Sequence, residues 1–202
     1  EFNRQALEVL RQPIEDGQVT ISRVAGTLTY PCSIMVVAAM NPCPCGYFGH
    51  PVRECSCSSH AVSRYLSRVS GPLLDRLDLH VEVAPVEYQN LVSTQPEESS
   101  QSIRQRVNQA RKLQRERYRS IGISCNAKLP APAVNGFCPM DEGAAALLSR
   151  AFETMGLSAG AYDRILKVSR TIADLDGAEV ICRRHIAEAV QYRSLDRKYW
   201  SR

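Results

Sequence analysis

At 202 residues the chain is long enough for one large domain or two small ones. Its 44% hydrophobic and 23% charged residues, with only 11 Gly and 11 Pro, exclude disordered, collagen-like and mucin-like classes. The formal charge of +4 is mild, so its meaning depends on where the cations sit.

Asn3 is placed to cap a helix on which Phe2, Ala6, Val9 and Leu10 share a face, and Pro13 is expected to stop it. Residues 18–30 alternate in β-forming side chains around Ala25-Gly26, which predicts a hairpin turning at the glycine, with Ser22 and Arg23 or their neighbours on its solvent face. The unbroken apolar run 34–40 reads as a strand covered on both faces in a mostly parallel sheet, ending at Asn41-Pro42. At seven residues it is far short of the ~18 needed to span a membrane, and no membrane partner is expected. No secretion-signal pattern follows Glu1, so the expected location is cytoplasmic.

Val62, Tyr65, Leu66 and Val69 form a helical stripe that Gly71-Pro72 should terminate, and residues 77–83 alternate like a half-buried strand. A polar stretch over 94–102 predicts a boundary near Pro96, dividing 1–96 from 97–202. Residues 102–119 then read as a helix carrying seven cations against Glu116 alone, a local +6 that exceeds the net charge of the chain. The Pro- and Asn-containing segment 126–139 reads as a linker, followed by three helices, the second capped by Ser158.

Four of the eight cysteines, Cys43, Cys45, Cys55 and Cys57, fall within fifteen residues. Such a cluster argues for a metal before disulfides, and four thiolates suit Zn²⁺ at tetrahedral geometry. His50 or His60 could replace one sulfur, and iron–sulfur ligation is open on the same count; the plain alternative is a loop of reduced thiols. Four ligands would leave no open position, so the role is structural. Asn41 could position a water or sense a phosphate at a strand end, or simply terminate the strand before Pro42. Arg76 could reach a neighbouring subunit's phosphate, or pair with Asp75 or Asp78. The basic helix, with Arg104, Arg111, Lys112 and Arg115, suits a phosphate backbone or a solvated face. No G-x-x-x-x-G-K-[ST] occurs, which excludes a self-sufficient nucleotidase of that type, and no Ser/His/Asp set or His-Glu-x-x-His supports another hydrolase.

In order along the chain, Asn41-Pro42-Cys43-Pro44-Cys45-Gly46, the run SGPLLDRLDLH over 70–80, and AYDRILKVSRTIADL over 161–175 resemble the ComM/YifB family of magnesium-chelatase-like AAA+ ATPases. The resemblance spans nearly the whole chain. It implies an α/β architecture: the C-terminal part of an AAA+ core with an inserted β-hairpin over 1–96, then an α-helical lid over 97–202. It also implies that the phosphate-binding loop and acidic metal-handling motif belong upstream, so these residues alone are expected to be inactive. Asn41 matches the sensor-1 residue that orients the attacking water, and Arg76 the arginine finger supplied in trans, which ties hydrolysis to ring assembly. Gly160 stands where the lid's sensor-2 arginine is usual; either Arg164, one turn on, supplies the contact to the γ-phosphate or the lid relies on shape alone. The hairpin, with Arg23, matches an insertion that in ring-shaped relatives faces the pore or substrate. The cysteine insertion separates the chain from the tetrapyrrole chelatase motor subunit.

The implied function is that of a hexameric AAA+ ATPase, with ATP and Mg²⁺ as cofactors of the intact protein, moving DNA and promoting branch migration during natural transformation. Two other readings stay open: a chelatase-type motor remodelling a protein partner, and a zinc-stabilised, non-catalytic interaction module.

Overall fold

The computed structural model describes residues 2–86, 88–92 and 97–193. They fall into two compact units, 2–77 and 78–193. The boundary expected near Pro96 lies outside the described residues.

The first unit opens with α1 (Arg4–Val9) and α2 (Arg11–Asp16). Asn3 caps α1 as its sequence position predicts, its Oδ1 accepting from the Ala6 N–H at 2.8 Å. The stop expected at Pro13 is corrected. The chain turns at Leu10, and Pro13 lies buried in the first turn of α2, where a backbone N–H would have no intrahelical acceptor. Gly17, at φ 62°, closes α2 in the left-handed conformation that glycine adopts without strain.

β1 (Gln18–Arg23) and β2 (Gly26–Pro31) form the expected hairpin, pairing Gln18 with Pro31 and Arg23 with Gly26. Its turn is therefore Val24-Ala25, with Gly26 as the first paired residue after it. Hydroxyl pairs Thr20–Thr29 and Ser22–Thr27 line one face, while Ile21, Leu28 and Tyr30 line the other. Both faces are exposed, so no single solvent face is defined.

The two strands predicted at 34–40 and 77–83 are corrected. Neither segment is a strand, and the hairpin is the only sheet among the described residues. Met35 is 88% and Val83 86% exposed. A strand buries its side chains only when neighbouring strands and covering helices exist, and no described residues supply them here. Architecture among the described residues is thus helical with one small sheet, and the α/β sheet expected from sequence is not assembled within them.

α3 (Ser59–Leu66) and α4 (Gly71–Asp75) complete the first unit. Gly71-Pro72 opens α4, behind a Ser70 cap, rather than terminating the preceding helix, which already ends at Leu66.

The second unit contains α5 (Tyr88–Leu91), α6 (Ser100–Arg117), a 3₁₀ turn (Asn126–Lys128), α7 (Ala131–Phe137), α8 (Glu142–Met155), α9 (Ala159–Leu175) and α10 (Arg183–Gln191). Ser99, Asp141 and Ser158 cap α6, α8 and α9 through hydroxyl or carboxylate oxygens, as polar N-caps do. The core gathers Tyr118, Leu129, Val134, Leu148, Ile165, Leu166, Ile181 and Ile186 around α9. The linker read over 126–139 is a further correction. Asn126, Leu129, Val134 and Cys138 are all buried, because Pro130 and Pro132 start a helix as readily as they interrupt one. No helix among the described residues is long and apolar enough to cross a membrane.

Candidate functional site

Cys43 ends an unpaired stretch and begins a turn in which its carbonyl accepts from the Gly46 N–H at 3.0 Å. Gly46, at φ 83°, makes that turn possible and brings the Cys43 and Cys45 sulfurs to 3.3 Å. The chain loops out through residues 46–54 and returns to place Cys55 Sγ at 3.7 Å from Cys43 and 3.5 Å from Cys45. With Cys57, all four sulfurs lie within 4.8 Å of one another. Ser58 then caps α3 through the Ala61 N–H, and Val62 and Leu66 pack against fully buried Cys43.

This arrangement fits a tetrahedral thiolate site. Zn–S bonds of about 2.3 Å place sulfurs about 3.8 Å apart. None of the four cysteines is in a disulfide. The backbone N–H of Tyr47 stabilises the Cys45 thiolate and lowers its pKa to about 5. Cys55 also receives a backbone N–H, from Cys57, but burial and the adjoining thiols outweigh it and push its pKa up to about 12. His50 is not drawn into the set: its Nδ1 accepts from the Val52 and Arg53 N–H groups at 3.1 and 3.0 Å. His60 faces Arg64 instead.

The other sequence-predicted residues do not converge. Asn41 is exposed at the end of the unpaired 34–40 segment. Arg76 caps the C-terminus of α4, donates from Nη1 to the Pro72 carbonyl at 2.7 Å, and sets Nε 2.7 Å from Glu15 Oε2. The latter contact, to a carboxylate on α2, is ionic without hydrogen-bond alignment. Arg164 lies half-buried on α9 beside Lys167, whose pKa is lowered by burial and then by the Arg164 charge. At Gly160 a side chain would meet only Ser158 Oγ, at 3.9 Å.

The basic helix divides into two parts. Arg104, Arg111, Lys112 and Arg115 are exposed, as is Arg23 at the end of β1. Arg117 instead turns inward to a buried cluster that sequence reading missed. Asp174 accepts from Arg117, from Arg170 Nε at 3.1 Å, from Gln114 at 3.1 Å and from Asn126 at 2.9 Å. Arg170 also donates to the Glu179 and Ala178 carbonyls. The available signal was the i,i+4 spacing of Arg170 and Asp174 on the apolar helix α9; their joining to Arg117 and Asn126 is tertiary.

Comparison with known proteins agrees with the motif order. Residues 1–91 match the family model described as magnesium chelatase, subunit ChlI, and residues 97–193 match its C-terminal counterpart. YifB of Escherichia coli is 42% identical over 98% of the chain, and competence protein ComM of Haemophilus influenzae 41% over 98%. The chain belongs to the ComM/YifB family of magnesium-chelatase-like AAA+ ATPases. YifB of Salmonella typhimurium is a further relative, 40% identical over 98% of the chain. The chain spans only 38% of the length of each of these relatives.

Proposed function

We propose that this chain is the part of a ring-forming AAA+ ATPase that completes a nucleotide site and acts on DNA, in branch migration during the uptake of foreign DNA. The observation that carries this reading is 41% identity to a competence protein along 98% of the chain, and the exposed cations of α6 agree with it. ATP and Mg²⁺ are substrate and cofactor of the intact protein, whose phosphate-binding loop the 202 residues do not contain. Within that site Arg76 supplies charge to the phosphoryl group of an adjoining subunit. Its guanidinium lies against a carboxylate, Glu15, and the same group is suited to donate to phosphate oxygens. Asn41 orients the attacking water, and Arg164 takes the lid's cationic role that Gly160 cannot fill. Exposed Arg104, Arg111, Lys112 and Arg115 contact the DNA backbone, whose charge rewards several cations along one helix face, and exposed Arg23 of the hairpin is a separate backbone contact.

Four convergent thiols support a structural Zn²⁺ held by Cys43, Cys45, Cys55 and Cys57. The metal's contribution is cross-linking alone, since four sulfurs leave no position for substrate.

A second reading, a chelatase-type motor that remodels a protein partner, draws on the chelatase family model matching both parts of the chain. ATP hydrolysis by the intact protein, with and without branched DNA and at two salt concentrations, decides between them. Stimulation by DNA that fades with salt is expected; turnover indifferent to DNA would favour the protein-remodelling motor.

A further inference from the structure

The arginine proposed as the finger stands at the end of a very short helix, α4, which spans only Gly71–Asp75. A helix of this length is not held by its own hydrogen bonds. Its direction, and with it the starting point of the Arg76 side chain, is set by what packs on it. Leu73 and Leu74 are buried and fix its inner side. Its two ends meet carboxylates of the helices that precede the hairpin. At the first end Ser70 lies beside Glu8 of α1, and Ser70, then Arg11, hold the Glu8 carboxyl below the usual carboxylate range. At the other end Arg76 Nε lies 2.7 Å from Glu15 Oε2 of α2. Residues of both preceding helices line a hollow of about 360 Å³ together with Arg76.

The two ties on Arg76 differ in kind. Nη1 donates to the Pro72 carbonyl at 2.7 Å, one turn back, which folds the side chain along its own helix. Toward Glu15 the attraction is coulombic and lacks hydrogen-bond alignment, so it draws the guanidinium toward α2 without fixing an angle. A long side chain loses rotamer freedom when it meets a phosphoryl group, and freedom already lost in the folded protein no longer adds to the barrier. The Glu15 side chain is 47% exposed and that of Arg76 23%. Water therefore screens the carboxylate, which weakens the cation little, and part of the guanidinium stays open to an anion from outside. Glu15 is itself well placed, because Gly17, at the end of α2, accepts from the Cys32 N–H at 2.7 Å at the base of the hairpin.

We propose that Glu15 is the positioning residue of Arg76, holding the guanidinium from α2 where the reacting phosphoryl group of an adjoining subunit meets it. The inference rests on the finger reading of Arg76 and names the residue that serves it. Arg76 touches the phosphoryl group, and Glu15 acts through Arg76.

The test is steady-state ATP hydrolysis by the intact protein as wild type, Glu15→Gln, Glu15→Asp and Arg76→Ala. Melting curves are taken on the same samples, and the affinity for a fluorescent ADP is measured alone and with aluminium fluoride, which with ADP mimics the transition state of phosphoryl transfer. Glu15→Gln, of the same length without the charge, is expected to lower kcat by about tenfold to a hundredfold. KM, ADP affinity and melting should stay unchanged, while the tighter binding that aluminium fluoride gives wild type is lost. Glu15→Asp keeps the charge and should fall between wild type and Glu15→Gln. Wild-type kcat in Glu15→Gln, with Arg76→Ala inactive, overturns the positioning role and leaves the finger in place. Normal turnover in Arg76→Ala removes the finger, and the role of Glu15 with it. A higher kcat in Glu15→Gln would mean that the carboxylate holds Arg76 back, and a lower kcat matched by an equal loss of ADP affinity or of melting temperature would make Glu15 structural; either result overturns the proposal.

Discussion

Asp174 shows how a single buried charge is made tolerable. Its side chain and that of Arg170 have no exposed surface, and burial alone would raise the carboxyl pKa. Hydrogen bonds from Arg117 and Asn126, with the Arg170 charge, overcome that penalty and hold the pKa below the usual carboxylate range. Because the folded value is depressed, the stabilisation is present above the ordinary carboxylate range and is lost as pH falls through the folded value. The melting temperature of the wild type should therefore decline below about pH 4, and Asp174→Asn should flatten that decline. Asp174→Ala strands Arg170 in the interior and should cost about 3–5 kcal/mol in denaturant unfolding. At Arg76 the expectation concerns activity rather than stability. Arg76→Ala in the intact protein should abolish ATP hydrolysis while a fluorescent nucleotide still binds; normal turnover would withdraw the finger assignment.

Helices α6 and α9 each set a buried side against an exposed one. The buried side of α6 sends Ala110, Gln114 and Arg117 toward the second unit's core, leaving Arg104, Arg111, Lys112 and Arg115 in solvent. Replacing Lys112 and Arg115 together by glutamate should weaken DNA binding and reduce the slope of log affinity against log salt by about 1 for each cation removed. An unchanged slope would make this face a solvated one. In α9, Gly160 sits where an added side chain has open space. Gly160→Ala should stabilise the protein by about 0.5–1 kcal/mol in thermal melts. Gly160→Arg tests the proposed lid role of this helix, since higher ATP affinity in that variant of the intact protein would show that the glycine withholds a phosphate contact.

For the whole molecule, the two units differ in what secures them. Residues 78–193 have a continuous apolar core. Residues 2–77 gather only a small cluster around Cys43, Val62 and Leu66, and a core that small needs a cross-link. About one zinc per chain is expected by elemental analysis, and its removal by a chelator should lower the stability of the cysteine module while the melting of the helical unit stays in place. A metal-free sample whose four cluster thiols titrate freely, with unchanged melting, would sink the zinc assignment.

Local rules account for what could be read directly from the amino-acid order. Caps at Asn3 and Ser158, the apolar stripes of α8, α9 and α10, and the hairpin alternation are decided by neighbours a few residues away, and all of these formed. The cysteine spacing likewise foretold convergence, because a loop of nine residues can fold back on itself. Motif order revealed the family without any coordinates. What could not be read locally depends on distant partners. The 34–40 run has the composition of a buried strand, yet a strand exists only against another strand, and the described residues provide none for it. The segment at 126–139 has the composition of a linker, yet it is buried because Leu129 and Val134 meet α9 and its neighbours. Arg117 is indistinguishable in sequence from the other cations of α6, and only the fold, by bringing Asp174 from 57 residues away, withdraws it from solvent.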